Sequence, residues 1–248
     1  MFTKVRLRIL YIFLLLTTYS INSNTHEFWI EPSQYQSKDS LITAHLRVGQ
    51  EFQGMALMYN PKDFKSFKIL SGTKNKKEKV KGILGDVPAI ETNTDLENLL
   101  IIFHETTDKL VNYKKFEKFE DFVKEKGYQN LINLHKDKGF PESNFVESYR
   151  RYAKSLIAIK GNDGNDKKTG LLFEFVLDQN PYKALDSNQI TATLYYKKRP
   201  LKNNLVTIFS KYKNSKLAIS SIRTDDKGKF NFKIEPGKES LLDSVVIH

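Results

Sequence analysis

Apolar and polar positions alternate through LITAHLRV (41–48), with Ile42, Ala44, Leu46 and Val48 on one face and Thr43, His45 and Arg47 on the other. A period of two is that of a half-buried strand, and it turns His45 toward water. KSFKIL (65–70) and LLIIF (99–103) predict further strands. The unbroken apolar run of the second predicts burial on both faces. Turn residues separate these segments at Asn60-Pro61, Ser71-Gly72 and Gly85 to Pro88. The period then changes: Phe116, Phe119, Phe122 and Val123 recur at spacings of three and four among Lys and Glu. This predicts a helix from near Lys115 to Lys126 that Gly127 stops or bends. FVESYRRYAKSLIAI (145–159) places Val146, Tyr149, Ala153 and Leu156 on one stripe and predicts a second helical stretch, which runs into β-like residues.

GNDGNDKKTG (161–170) marks a boundary. Its aspartates and glycines do not follow the order of a helix-flanked calcium loop, so the segment is expected to be a flexible turn or linker. Beyond it, LLFEFVL (171–177), ITATLYYK (190–197), LVTIFSKY (205–212), LAISSIR (217–223), KFNFKI (229–234) and LLDSVVI (241–247) all alternate. Short strands punctuated by Asn180-Pro181, Arg199-Pro200, DDKG (225–228) and Pro236-Gly237 predict an antiparallel sandwich of immunoglobulin-like type. The expected fold class is mainly β. An N-terminal β-rich domain with one or two helices spans 26–160, and an immunoglobulin-like β-sandwich spans 170–248.

The first 25 residues have a different character. Lys4, Arg6 and Arg8 precede the apolar run Ile9 to Leu16, and small polar residues follow. This is the layout of a secretory signal peptide, and the run is well short of the about 20 residues that span a bilayer. The mature chain is expected to be soluble in the periplasm. With no cysteine in the sequence, its stability must come from the core alone. The formal charge is +11, or +8 once the leader's three basic residues are removed (37 basic against 29 acidic). Only seven of the 40 basic residues are arginine, and the lysines are scattered among acids. That pattern describes a solvated surface and excludes a concentrated nucleic-acid face.

Catalytic motifs are absent: no Gly-rich phosphate loop, no G-x-S-x-G elbow, no thiol. His104-Glu105 lacks the second histidine of H-E-x-x-H, so His104 is read as a strand-end residue. His135 sits among polar residues and is expected to be exposed. Glu120 and Asp121 point apart on a helix. No enzyme activity is expected. His26 is the candidate site. Cleavage after Thr25 would make it the first residue, and its α-amine and imidazole Nδ1 could then close one chelate ring on copper(II) or nickel(II), with a third donor from elsewhere. The alternative reading makes His26 the last unstructured residue before a strand anchored by Phe28, Trp29 and Ile30.

HEFWIEP (26–32), RVGQEFQG (47–54), KFEKFEDFVKEKG (115–127), ESYRRYAKSLI (147–157), GLLFEFVLDQNPY (170–182), KKRPL (197–201), RTDDKGKFNFKIEPG (223–237) and SVVIH (244–248) occur in this order. Together they resemble the NikM-like group of exported proteins associated with nickel and cobalt uptake. The resemblance implies a metal-binding or metal-delivery partner of a membrane transporter. His26 matches the family's leading histidine and His248 a late one; His45, His104 and His135 match nothing. Two departures stand out: the leader ends in Asn-Thr where an Ala-rich site is usual, and similar proteins continue past the position of His248, which predicts a truncated chain with an unpaired sheet edge. The implied ion is Ni2+ or Co2+, with Cu2+ acceptable to the same ligands. The alternative function is a non-catalytic cell-envelope module that holds a peptide, glycan or partner protein, with an exposed Trp29 as anchor; a buried Trp29 counts against it.

Overall fold

The computed structural model describes residues 27–183, 188–212 and 215–247. The predicted signal peptide (1–25), His26 and His248 all lie outside the described residues. Among the described residues the fold is mainly β, with 49% in strands and 10% in helix, which includes two α-helices and a short 3-10 turn. No helix among the described residues is long and apolar enough to cross a membrane.

The N-terminal half runs through β1 (Glu27–Pro32), β2 (Gln36–Ser37), β3 (Leu41–Gln50), β4 (Gln53–Leu57), β5 (Phe64–Ser71), β6 (Lys77–Lys79), β7 (Ile90–Asn93), β8 (Asn98–Thr106) and β9 (Lys109–Tyr113). Helices α1 (Phe116–Glu125) and α2 (Asn130–Asp137) follow, then β10 (Phe145–Tyr149) and β11 (Tyr152–Ile159). One sheet has the order β1-β3-β4 with β7 also on β3, and a second has the order β2-β11-β8-β5-β6. Their inner faces close one core. Ile30, Ile42, Ala44 and Leu46 come from the first sheet, and Phe67, Ile69, Leu100, Ile102, Ile157 and Ile159 from the second. The alternation predicted for β3 is therefore the core pattern. In β8, Leu99 to Phe103 are all buried because Ile101 and Phe103 face outward into a second cluster with Leu70 and Leu171.

The β3–β4 hairpin turns through Glu51 (φ 54°) and Phe52 (φ 59°). Two consecutive left-handed residues make the tight turn whose twist suits a hairpin. Gly49 and Gly54 face each other beneath it, where a Cβ on Gly49 would lie 1.9 Å from the Gln53 carbonyl oxygen. A left-handed non-glycine residue costs roughly 1–2 kcal/mol. Phe52 offsets this by burial: it is 2% exposed and packs edge-on against Trp29 at 5.7 Å.

Helix α1 matches the predicted periodicity. It buries Phe116, Phe119, Phe122 and Val123, and Gly127 (φ +80°) ends it. The helix predicted over 145–159 is not formed. β10 pairs with β9, and β11 pairs with β8 from Tyr152↔Glu105 to Ile159↔Asn98. Phe145, Val146, Tyr149, Tyr152, Ile157 and Ile159 suit a pleated surface, and two long registers outweigh a four-residue stripe. The second helix lies earlier in the chain, at α2.

The C-terminal half contains β12 (Phe173–Leu177), β13 (Gln189–Tyr196), β14 (Arg199–Pro200), β15 (Leu205–Tyr212), β16 (Ala218–Arg223), β17 (Lys229–Lys233) and β18 (Lys238–Asp243). β12-β13-β14, with β17 also on β13, faces β16-β15-β18. The chain changes sheet between β14 and β15, between β16 and β17, and between β17 and β18. Ile190, Ala192, Leu194, Phe230 and Phe232 of one sheet meet Val206, Ile208 and Leu242 of the other. The last strand begins and ends earlier than LLDSVVI predicts. Residues 244–247 leave the sheet so that Val245 and Ile247 can cover the aromatic cluster of the helices.

Segment 161–170 is not a free tether. Asp166 is buried, bonds Lys154 at 2.7 Å and accepts from the Leu177 N–H, while Asn180 Nδ2 donates to the carbonyls of Asn162 and Gly164. Across the junction of the halves, Trp29 and Phe52 pack with Phe209, Leu217 and Leu241.

Candidate functional site

Strand alternation turns Phe28 and Ile30 of β1 toward the N-terminal core and leaves Glu27 and Trp29 facing the C-terminal half. Glu27 is 4% exposed, and its Oε2 is buried with no hydrogen-bond partner. The backbone N–H of Glu51, in the strained hairpin, supports this carboxylate. Burial first, then the Asp243 charge, push Glu27 up to about 7, against the opposing pull of Lys126 and the Glu51 N–H. Lys126, at the end of α1, bonds Glu125 at 2.9 Å and Asp243 of β18 at 3.0 Å, and its side chain is 6% exposed. Burial favours loss of its proton, but Asp243 and Glu125 outweigh burial and hold Lys126 above the ordinary lysine value.

This cluster therefore joins β1, α1 and β18. It holds three carboxylates and one ammonium, an excess of two negative charges when all are ionised. Lys126 and Asp243 border a cleft of about 1470 Å³ between the halves, walled also by Tyr113, Tyr152, Phe173 and Tyr182. Tyr128 clamps the same junction: its hydroxyl meets Asn204 Oδ1 at 2.6 Å and the Val245 carbonyl at 3.1 Å.

The two residues named from sequence as metal ligands, His26 and His248, are outside the described residues. Their neighbours are not. His26 directly precedes Glu27, and His248 follows Asp243 by five residues. Among the described residues, no group of three or more His, Cys, Asp or Glu is arranged to hold an ion by itself. Two of the other histidines depart from expectation. His45 is half-buried, with Nδ1 covered and unpartnered. His135 is buried, because α2 packs it between Phe116, Phe119 and Phe145 and its Nε2 lies 2.8 Å from the Pro141 carbonyl. His104 lies near the end of β8, two residues before its last, and is 1% exposed. Trp29 is 4% exposed, which counts against its use as a surface anchor. Sequence reasoning passed over Glu27, Lys126 and Asp243, since nothing in their local spacing marks residues that meet only across the two halves.

The sequence profile described as "Domain of unknown function (DUF4198)" matches residues 23–239. The chain belongs to this family. The match starts ahead of β1 and ends within β18, so DUF4198 spans both halves and takes in Glu27 and Lys126 of the junction cluster but stops short of Asp243. Comparison with curated proteins and with solved structures returns no match.

Proposed function

We propose that this DUF4198 protein is an exported, non-catalytic carrier of a divalent transition metal, nickel or cobalt, which it takes at His26 and delivers to a membrane transporter. The observation that carries the reading is the Glu27 carboxylate, next in sequence to His26 and buried with an oxygen that nothing satisfies. A buried, unpartnered carboxylate is costly unless a cation or a proton completes it. The excess of two negative charges around Lys126 equals the charge of one divalent ion. His26 supplies an imidazole and, after cleavage behind Thr25, an α-amine; Glu27 is the nearest carboxylate along the chain. Imidazole, amine and carboxylate suit nickel, cobalt and copper, and copper binds such donors more tightly than the other two. His248 is the proposed partner from the far end, and Ile247 just before it packs on the helical cluster. The order of motifs resembling NikM-like proteins supports nickel or cobalt as cargo.

Intact-mass and N-terminal sequencing of the exported protein, followed by calorimetric titration with Ni2+, Co2+ and Cu2+, tests the reading. His26→Ala is expected to weaken nickel binding beyond the roughly 10–100-fold that loss of an outer partner costs. Unchanged affinity for all three ions in His26→Ala sinks it.

A further inference from the structure

His104 lies on β8 with Phe67 of β5 and Ala153 of β11 as its cross-strand neighbours, at the end of the N-terminal sandwich. Its ring meets Phe28, Phe64 and Phe67 edge-on, with centroids at 5.3, 4.8 and 4.8 Å, and neither ring nitrogen has a hydrogen-bond partner. A phenylalanine would complete this aromatic cluster with nothing left unpaired, so the imidazole gives the fold itself no bonding return. Burial holds His104 down to about 3, with Asp63 opposing, so the ring is neutral at ordinary pH and offers one donor and one acceptor.

His104 also borders a cavity of about 410 Å³ whose apolar wall includes Leu46, Leu57, Met58, Phe64 and Val87. The volume falls in the range of small-molecule sites. Most charges at its rim are already engaged: Lys109 pairs with Asp63, which also accepts from Asn60 Nδ2 at 2.7 Å. Arg151 differs. Its backbone exchanges bonds of 3.0 Å with Thr106, and its guanidinium lies 5.0 Å from the Tyr149 ring. Among the described residues that guanidinium has no carboxylate partner. Arg151 sits opposite Thr106, two residues along β8 from His104 and on the same face, a strand separation of about 7 Å.

We propose that this cavity binds a small hydroxy acid with a flat apolar body, its carboxylate on Arg151 and its hydroxyl on His104. A hydroxyl can donate to one form of a neutral imidazole and accept from the other, and a guanidinium fork matches a carboxylate. The apolar body fills the space between Phe28, Leu57 and Phe64. The site lies on the opposite face of β1 from Glu27, so it stands independently of the metal reading.

Calorimetry on the purified protein with 4-hydroxybenzoate, benzoate and 4-hydroxybenzamide as probes tests the proposal. 4-Hydroxybenzoate is expected to bind with a Kd below about 1 mM and the other two about tenfold more weakly. His104→Phe should bring 4-hydroxybenzoate down to the level of benzoate and leave benzoate unchanged. Arg151→Gln should weaken both acids by about tenfold and leave the amide unchanged. In the wild type, the imidazole ¹⁵N resonances of His104 should shift with 4-hydroxybenzoate but not with benzoate, a readout that needs no variant. Absence of saturable 4-hydroxybenzoate binding near 1 mM overturns the proposal. So does a hydroxyl preference that survives in His104→Phe.

Discussion

Two lysines, one buried and one largely so, fasten the halves together, and they are finished differently. Lys154 of β11 donates to Asp166 at 2.7 Å and to the carbonyls of Phe175 and Lys167 at 2.8 and 3.1 Å. The acids around it are equally complete: Asp166 takes the N–H groups of Lys167 and Leu177, and Glu174 takes those of Thr169 and Gly170 with the Thr169 hydroxyl. Lys126 serves Glu125 and Asp243 but leaves an oxygen of Glu27 bare. A saturated network is what a structural joint requires, since every buried charge must be answered within the fold. An unsaturated one beside the proposed metal-binding end has room for something from outside.

The comparison can be broken by removing the complete joint. Lys154→Met strands Asp166 and Glu174, whose side chains are 2% and 3% exposed, and should lower unfolding free energy by about 3–5 kcal/mol in urea titrations. A loss well under 1 kcal/mol would mean that water already reaches those acids.

A smaller effect, of opposite sign, is expected at His104, whose two ring nitrogens are both buried without a partner. His104→Phe should stabilise by about 1–2 kcal/mol, read from the same titrations. It should also reduce acid sensitivity. The wild-type ring titrates near 3 in the folded chain and at its ordinary value, 6.5, once unfolded. The unfolded state therefore binds more protons across that window, and stability falls as pH drops through it, by at most about 1.4 kcal/mol per pH unit. Equal acid slopes in the two proteins would show that His104 is solvated in solution.

The smallest stability change belongs to the incomplete cluster. Glu27→Gln removes a carboxylate that both burial and Asp243 disfavour, so stability should stay within about 1 kcal/mol. Nickel affinity should nevertheless fall by about tenfold or more. A large stability loss with no change in nickel affinity would make Glu27 as structural as Asp166.

Most of the fold was legible where one face is buried and the other wet. β3, β5, β13, β15 and β17 carry clean alternation, and α1 carries a clean stripe that ends at Gly127. The stretch 145–159 misled because Val146, Tyr149, Ala153 and Leu156 satisfy a helical stripe while their neighbours satisfy a pleat; only the registers with β8 and β9 decide between them. His135 looked exposed because its sequence neighbours are polar, whereas its aromatic partners lie along α1 and at Phe145. The candidate site was half legible. The segment that opens at His26 was singled out through His26 and Trp29, but Glu27 looked like an ordinary strand acid. Its meaning depends on Lys126 and Asp243, which are far away in sequence.

That separation has a consequence for the order of assembly. The face of β1 that carries Glu27 and Trp29 is made early, yet it is covered by Phe209, Leu241 and Asp243, which come some two hundred residues later. A growing chain can close its N-terminal core and still leave that face bare. The junction cluster is therefore completed only once Asp243 has been made, long after the sheet that bears Glu27 can close.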